Sequence, residues 1–284
     1  VEATTTILAN FLKRPVLNPE TGMVDEVSTI AILQALAGLW LDNDDDTSFL
    51  FLYHFAKHRV METFLSLLAV QSKNILYKLI EVIGHAASRS LLFLDPEEDD
   101  TLAIADRETF YIDRVRTPSL DAVSQLVPFL KTGSEAALLC QSAVKVLCRL
   151  LRSLKDQDAE NLQFGERFMA SGGIAASVTL LDTDFATIEN VETVGFSETA
   201  FHLVVEKLLP ALFAQPPFVE GFAVAGGIKK LARLRAVHGY TGNAFASTEA
   251  TEQYQATYES HLEALSQKLE RYGAYPDWIG MLWD

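Results

Sequence analysis

The pattern F-x-x-x-G-G-I occurs twice in this chain, and it limits the possible folds more than any other feature of the sequence. The two copies begin at Phe168 and Phe222, and apolar residues at helical spacing lie on both sides of each glycine pair. Adjacent glycines interrupt a helix, because glycine takes left-handed backbone angles without steric cost. Each copy therefore predicts a short helix, a sharp turn and a second helix. A unit that recurs along a chain in this way predicts a solenoid of helical repeats.

An altered copy of the pattern is found earlier in the chain. The segment Phe55–Met61 holds the same position in its own helical set, but Arg59 and Val60 replace the glycine pair. Strand-like alternation bounded by hairpin turns is nearly absent, so we predict an all-α chain. Each predicted set has a short first helix, a second helix and a long third helix, and the opening segment supplies only the last two. The long helices are predicted to begin near Val24, Ser72, Ser134, Phe196 and Thr248.

The predicted architecture is a right-handed α-solenoid of about four to five repeats in one domain. Its approximate repeat bounds are 1–46, 47–101, 102–155, 156–214 and 215–272, with a C-terminal cap over 273–284. In the central set, Thr117 and Pro118 are predicted to separate two helices, because proline is favoured at a helix start. Residues 182–195 are predicted to form a loop that ends where a long helix begins at Phe196.

The composition restricts the classes of partner. The chain has 284 residues, 49% of them hydrophobic, and a formal net charge of −15. This charge argues against non-specific binding to nucleic acid or to an anionic membrane. No apolar run reaches about 18 residues without a polar interruption, so we expect no membrane span. Because the chain begins at Val1 and not at Met, we expect a processed chain or a fragment.

The two cysteines, Cys140 and Cys148, are eight residues apart. On one helix their Cα atoms would be about 12 Å apart, which exceeds the reach of a disulfide. We therefore expect two free thiols in or near the core. Free thiols are typical of a reducing compartment, so we expect a cytoplasmic location, with the nucleus as an alternative.

One pair of histidines has the spacing of a metal site. His54 and His58 are four residues apart, which places two zinc ligands on one face of a helix. The glutamate that would follow the first histidine in a zinc-protease motif is absent, and neither cysteine is near in sequence. We therefore predict two histidines at a helix end, where the dipole favours them, and no metal site.

Three segments resemble the armadillo-repeat family. Gly226–Leu234 is similar to the family's junction between first and second helices, with the G-G-I turn followed by leucines at helical spacing. Ser72–Ala87 and His261–Leu269 look like its third helices. The resemblance covers nearly the whole chain, although the repeats are degenerate. It implies stacked helices whose third members line a concave groove, and it implies no enzymatic activity.

The resemblance also implies positions for the groove residues. Importin-α-like members of the family clamp an extended peptide with a Trp and an Asn that lie four residues apart. The matching pairs here are Gln34 with Gly38, Glu81 with His85, Lys145 with Arg149, His202 with Glu206, and Glu263 with Gln267. None of these pairs is Trp and Asn, which argues against a receptor for nuclear-localisation signals. The predicted groove is instead varied and charged, with one basic rung at Lys145 and Arg149.

A second basic cluster lies outside this predicted groove. It consists of Lys229, Lys230, Arg233 and Arg235 on a predicted second helix. Lys229 and Arg233 share one face of that helix, with Lys230 beside it. Such a patch could receive an acidic peptide or a phosphate, and the alternative is an ordinary solvated helix face.

These features predict a non-enzymatic scaffold that binds a protein partner through the concave groove or a covered face, without a cofactor. A stacked helical surface is rigid, which reduces the entropy cost of ordering a partner. One alternative is an armadillo-type nucleotide-exchange co-chaperone of a heat-shock chaperone. A third hypothesis, an enzyme with a pocket between helices, would require a paired acid and base that the sequence does not reveal. The oligomeric state stays open.

Overall fold

The computed structural model describes most of the chain between residues 25 and 236 and a few positions outside it. The described ranges are 25–41, 45–69, 72–93, 107–131, 136–154, 158–183 and 188–236. The isolated described positions are Thr6, Ile7, Asn10, Ala256, Ser260, Glu263, Ala264 and Gln267. The predicted C-terminal cap over 273–284 and most of the long helix predicted from Thr248 therefore lie outside the described residues.

The described residues lie mostly in helices, and none of them belongs to a strand, which confirms the all-α prediction. The helices are α1 Glu26–Leu41, α2 Asp45–Lys57, α3 Val60–Leu67, α4 Lys73–Phe93, α5 Arg107–Tyr111, α6 Thr117–Leu130, α7 Ala137–Ser153, α8 Asp158–Ala170, α9 Gly173–Leu180, α10 Val191–Leu203, α11 Leu209–Leu212, α12 Pro216–Val224 and α13 Gly227–Ala236. Two π-helical segments, Ile112–Arg116 and Val204–Leu208, join α5 to α6 and α10 to α11. Among the described helices, none combines the length and the apolar character needed to cross a membrane.

Three helix–turn–helix junctions share one backbone geometry. Arg59 between α2 and α3, Gly172 between α8 and α9, and Gly226 between α12 and α13 have φ angles of 54°, 83° and 80°. Each of the three amides donates to the carbonyl three residues earlier, at 3.0, 2.9 and 2.9 Å. These are the three sites at which the sequence predicts a turn, so the junction prediction is confirmed. The earlier copy keeps the left-handed turn even though arginine occupies the glycine position.

A buried phenylalanine closes each junction. Phe55, Phe168 and Phe222 lie four residues before the left-handed residue, and each is at most 1% exposed. A Cβ on Gly173 would lie 2.5 Å from the ring of Phe168, and one on Gly227 would lie 2.4 Å from the ring of Phe222. The second glycine of each pair is therefore required by packing, whereas the first is required by the backbone angle.

The boundary predicted at Thr117 and Pro118 is wrong. The helix continues through this point, because the π-helical segment Ile112–Arg116 directly precedes α6. In a regular helix, the proline ring clashes with the carbonyl four residues earlier. Here the amide of Thr117 donates to the carbonyl of Ile112, five residues earlier, and the wider turn accommodates Pro118.

The long helix predicted from Phe196 begins earlier, at Val191. The side-chain oxygen of Asn190 accepts a hydrogen bond from the amide of Thr193 at 3.0 Å, which caps the helix and places its start inside the predicted loop. This helix also contains a π-helical segment before a proline, since the amide of Leu209 donates to Val204 just before Pro210. Pro118 and Pro210 are thus both accommodated by a π-helical segment just before them.

The chain divides into two compact units, and the first comprises Val1–Leu126 with Arg149–Asn161. Its core forms where α1, α2 and α3 pack against α4. The buried side chains of this core include Leu33, Leu36, Phe55, Phe64, Leu79 and Ile83. One side of α4 packs against these helices, and none of the charged residues of α4 is buried.

The second unit comprises Val127–Cys148 with Leu162–Asp284, and a cluster of five phenylalanines forms part of its core. The members are Phe164, Phe168, Phe213, Phe218 and Phe222, and each is fully buried. Phe218 contacts three of the others, with ring centroids 5.8 to 6.3 Å apart. The two phenylalanines that define the sequence pattern, Phe168 and Phe222, are therefore linked through Phe218.

Candidate functional site

A row of charged side chains follows one face of α4. Lys78, Glu81, His85 and Arg89 are spaced by three or four residues and occupy an arc of about 80° around the helix axis. The Lys78 ammonium is 2.7 Å from a carboxylate oxygen of Glu81. All four side chains are partly exposed, whereas Leu79 and Ile83 of the same helix are fully buried.

Arg149 of α7 joins this row within the first unit. Its positive charge acts on His85, and the negative charge of Glu81 acts on Arg149. The structure therefore brings together three residues that the sequence assigns to the groove, namely Glu81, His85 and Arg149. We call these three, together with Lys78 and Arg89, the charged cluster.

The charged cluster shifts the protonation of its own members. Burial lowers the pKa of His85, Arg149 lowers it further, Glu81 opposes the shift, and Arg89 and Lys78 add smaller decreases. Burial also lowers the pKa of Arg149, and Glu81 opposes that shift. His85 is therefore neutral at neutral pH, whereas the guanidinium of Arg149 keeps its charge.

The remaining predicted groove residues are distributed along other helices. Lys145 is exposed on α7, Gln34 is exposed on α1, and His202 is half-buried on α10. Glu206 is exposed in the π-helical segment Val204–Leu208, and the amide nitrogen of Gln267 donates to a carboxylate oxygen of Glu263 at 3.0 Å. Within the described part of the first unit, no hydrogen bond or ion pair links Gln34 to the charged cluster.

The second predicted basic patch is partly neutralised by its own chain. Lys230 of α13 forms an ion pair with the carboxylate of Asp182, which follows α9, and Lys229 is exposed. Arg233 and Arg235 belong to α13, but their side chains lie outside the description. Lys230 therefore already has a counter-ion in its own chain, which an anionic ligand would have to replace.

Both cysteines are free thiols that are at least partly buried. Cys140 is buried, with its sulfur 3.9 Å from the carbonyl oxygen of Leu130. The sulfur of Cys148 is 3.8 Å from the carbonyl oxygen of Leu203. Burial raises the pKa of each thiol to about 12, so both stay protonated at neutral pH and are poor nucleophiles.

The two histidines with zinc-like spacing stack on each other. The ring centroids of His54 and His58 are 6.4 Å apart, and the Nε2 atom of His58 lies 3.2 Å from the hydroxyl of Thr6. Among the described residues, no group of three or more His, Cys, Asp or Glu side chains is arranged to hold a metal ion. His58 follows the last residue of α2, as the helix-end prediction requires.

Sequence reasoning missed two members of the charged cluster, Lys78 and Arg89. The signal for them was available, because they continue the spacing of Glu81 and His85 along a helix that the sequence predicts correctly. The armadillo resemblance implies groove positions only in pairs, and its pairs do not include these two residues. Extending the helical spacing in both directions from Glu81 would have included both cations.

A buried carboxyl group in the second unit was also missed. Glu198 of α10 is only 7% exposed, and one of its carboxyl oxygens has no hydrogen-bond partner among the described residues. Burial raises the pKa of this carboxyl. The neighbouring Ser197 is buried too, and its hydroxyl also has no partner in the described part of the chain.

Replacing Glu198 with glutamine should make the protein more stable at neutral pH. The raised pKa means that the folded state binds its proton more tightly than the unfolded state does. The native protein therefore loses stability as pH rises through the ordinary pKa of glutamate towards the raised value. Thermal unfolding of Glu198→Gln and the unmodified chain should give similar melting temperatures near pH 4 and a higher value for the variant at neutral pH.

Glu166, which is exposed on α8, provides the control for this change. Glu166→Gln removes the same charge without removing a buried carboxylate, so its melting temperature should track that of the unmodified chain across the pH range. An equal response of both variants would show that Glu198 ionises without cost in the folded state.

Comparison with known proteins gives no functional assignment. No family model matches the chain. No curated protein matches it either. Crystal structures of two engineered proteins from a structural genomics consortium are similar at 13% sequence identity, with TM-scores of 0.38 and 0.33. The first match covers 93% of this chain and 90% of the engineered protein, and the second covers 82% and 98%. At such low TM-scores, neither match supports an argument about fold or function.

Proposed function

We propose that this protein is a non-enzymatic scaffold, an α-solenoid of armadillo-like repeats that binds a protein partner. The observation that carries the proposal is the convergence of Glu81, His85 and Arg149. Residues that are predicted for one groove, but that come from two different helices, lie close enough for the charges of Arg149 and Glu81 to act on the pKa of His85. A surface of this kind binds through complementary charge and needs no chemical step.

The three equivalent junctions support the repeat part of the proposal. Left-handed residues at Arg59, Gly172 and Gly226 each connect two helices in the same way, and each follows a buried phenylalanine. Recurrence of one supersecondary unit along a chain is the basis of solenoid architecture. The proposed solenoid offers the long exposed surface that a scaffold requires.

Reversing the charge of the basic rung tests the scaffold. Lys145 and Arg149 are both exposed on α7, one turn apart, and Leu147 and Leu151 anchor the same helix in the core. The double variant Lys145→Glu with Arg149→Glu should weaken partner binding at least tenfold, since it replaces two attractive charges with repulsive ones. The partner is recovered by quantitative affinity purification, and its dissociation constant is then measured for each variant.

The matched control is Lys73→Glu, a charge reversal at an exposed position in the first turn of α4. Both proteins should melt within a few degrees of the unmodified chain, because neither change enters the core. A partner that binds the double variant as tightly as the unmodified chain would contradict a role for this rung.

A further inference from the structure

We propose that the charged cluster is the docking surface for an extended acidic segment of a partner protein, and that His85 makes this docking stronger as pH falls. The inference rests on the proposed scaffold function and specifies the chemistry of the partner. It concerns Lys78, Glu81, His85 and Arg89 of α4 together with Arg149 of α7.

The first step is the local excess of positive charge. The chain as a whole carries a formal net charge of −15, yet among the described residues the cluster holds three permanent cations and one carboxylate. The cations are Lys78, Arg89 and Arg149, and the carboxylate is that of Glu81. A positive patch on an acidic protein attracts acidic segments, whereas the negative remainder of the surface repels them, so an anionic partner is directed to the patch.

The second step is the shape of the patch. Along the axis of α4, Lys78 and His85 are about 10 Å apart, and His85 and Arg89 are about 6 Å apart. An extended peptide advances by about 3.3 Å per residue, so a run of about five residues matches this row. Lys78 and Arg89 are the cations at the two ends of this row, and cations separated in this way suit several carboxylates along a segment. A single phosphate is better held by cations that converge on one point.

The third step concerns Glu81, which occupies the cluster as an internal counter-ion. Its carboxylate lies 2.7 Å from the ammonium of Lys78, and its charge also acts on Arg149. The side chains of Lys78 and Glu81 are 22% and 38% exposed, so their pair is a surface pair worth about 0–1 kcal/mol. An incoming carboxylate can therefore replace Glu81 at little cost in free energy.

The fourth step concerns the proton on His85. In the free protein, burial and the charges of Arg149, Arg89 and Lys78 lower the pKa of His85, and only Glu81 acts in the opposite direction. A bound acidic segment adds negative charge beside the ring and raises that pKa. Binding of the segment is therefore coupled to protonation of His85. As pH falls from above the pKa of His85 in the bound protein towards its lower pKa in the free protein, the affinity for the segment must rise.

The experiment uses the full chain and a fluorescein-labelled peptide of about ten glutamates, long enough to cover the row. Fluorescence anisotropy is measured at an ionic strength of about 0.05 M, where screening is moderate. We expect saturable binding of the peptide to the unmodified chain. Arg149→Glu should weaken this binding at least tenfold. Glu81→Gln should tighten it by about two- to fivefold, because it removes the carboxylate that competes with the peptide. Lys73→Glu, on a different face of α4, should leave the affinity within about twofold of the unmodified chain.

The pH profile gives a separate readout of the role of His85. Affinity for the glutamate peptide should rise at least threefold from about pH 8 to about pH 6 in the unmodified chain. It should stay flat over the same range in His85→Gln, whose neutral side chain cannot take up the proton. A flat profile in the unmodified chain would overturn the role assigned to His85.

Three further results would overturn the docking proposal. They are equal binding by Arg149→Glu and the unmodified chain, no tightening by Glu81→Gln, and tighter binding of a peptide with a single phosphoserine and no other acid. Circular dichroism melts of every variant show that each remains folded. The glutamate peptide could fail to bind while affinity purification recovers a partner whose binding depends on Lys145 and Arg149. That outcome would reject the docking proposal and leave the scaffold function standing.

Discussion

Replacing Phe218 with alanine should lower the free energy of unfolding by about 3–5 kcal/mol, the largest effect expected for a single substitution here. The side chain is fully buried and contacts the rings of Phe168, Phe213 and Phe222. Truncation removes these contacts and leaves a cavity that the surrounding rings cannot fill without leaving their own positions. Urea unfolding followed by helical circular dichroism measures the loss.

Two comparisons isolate the contribution of the ring cluster. Phe218→Leu keeps most of the apolar volume and should retain measurable stability even if the alanine variant does not fold. Val224→Ala lies on the same helix, but Val224 is 87% exposed, so its loss should stay within about 0.5 kcal/mol. A loss of less than about 1 kcal/mol in Phe218→Ala would mean that the five rings do not form a shared core.

The parts of the fold that were predicted correctly depend on short-range physics. The glycine pairs after Phe168 and Phe222 specify left-handed turns, and apolar periodicity on each side specifies the helices. The turn at Arg59 was predicted because its segment is in register with the two glycine copies. These signals lie within a few residues of the structure that they determine.

The parts that were predicted incorrectly depend on backbone context. Proline at position 118 favours a helix start in general, yet a wider turn before it allows the helix to continue. No residue type in Ile112–Arg116 predicts the π-helical turn. The early helix start at Val191 could have been found, because Asn190 is a favoured capping residue three positions before Thr193.

The candidate site was only partly accessible from the sequence. The armadillo resemblance implies Glu81, His85 and Arg149 as groove positions, and in the structure the charges of Arg149 and Glu81 act on the pKa of His85. Glu198 could not have been identified, because a single carboxylate in an amphipathic helix is usually solvated and its burial depends on distant packing. Which charged residues lie near each other is a property of tertiary packing and not of spacing along the chain.

Alanine substitutions at the glycine pairs should separate two physical requirements. At Gly173 and Gly227, a Cβ would meet a fully buried phenylalanine ring at 2.5 and 2.4 Å, so overpacking should cost about 1–3 kcal/mol. At Gly226, a Cβ meets nothing within 4 Å, so only the strain of the left-handed backbone remains, about 1–2 kcal/mol. Urea unfolding of each single variant measures these losses.

Gly195 is the control, because it lies inside α10 and a Cβ there also meets nothing within 4 Å. Gly195→Ala should raise stability by about 0.5–1 kcal/mol, since glycine is unfavourable within a helix. If Gly226→Ala behaved in the same way, the left-handed angle would impose no strain.

The converse change applies at the third junction, where Arg59 holds a left-handed angle without being glycine. Arg59→Gly should therefore stabilise the protein by about 1 kcal/mol or less. Relief of the left-handed strain exceeds two smaller losses, namely the added chain entropy of glycine and the exposed ion pair between Arg59 and Glu62.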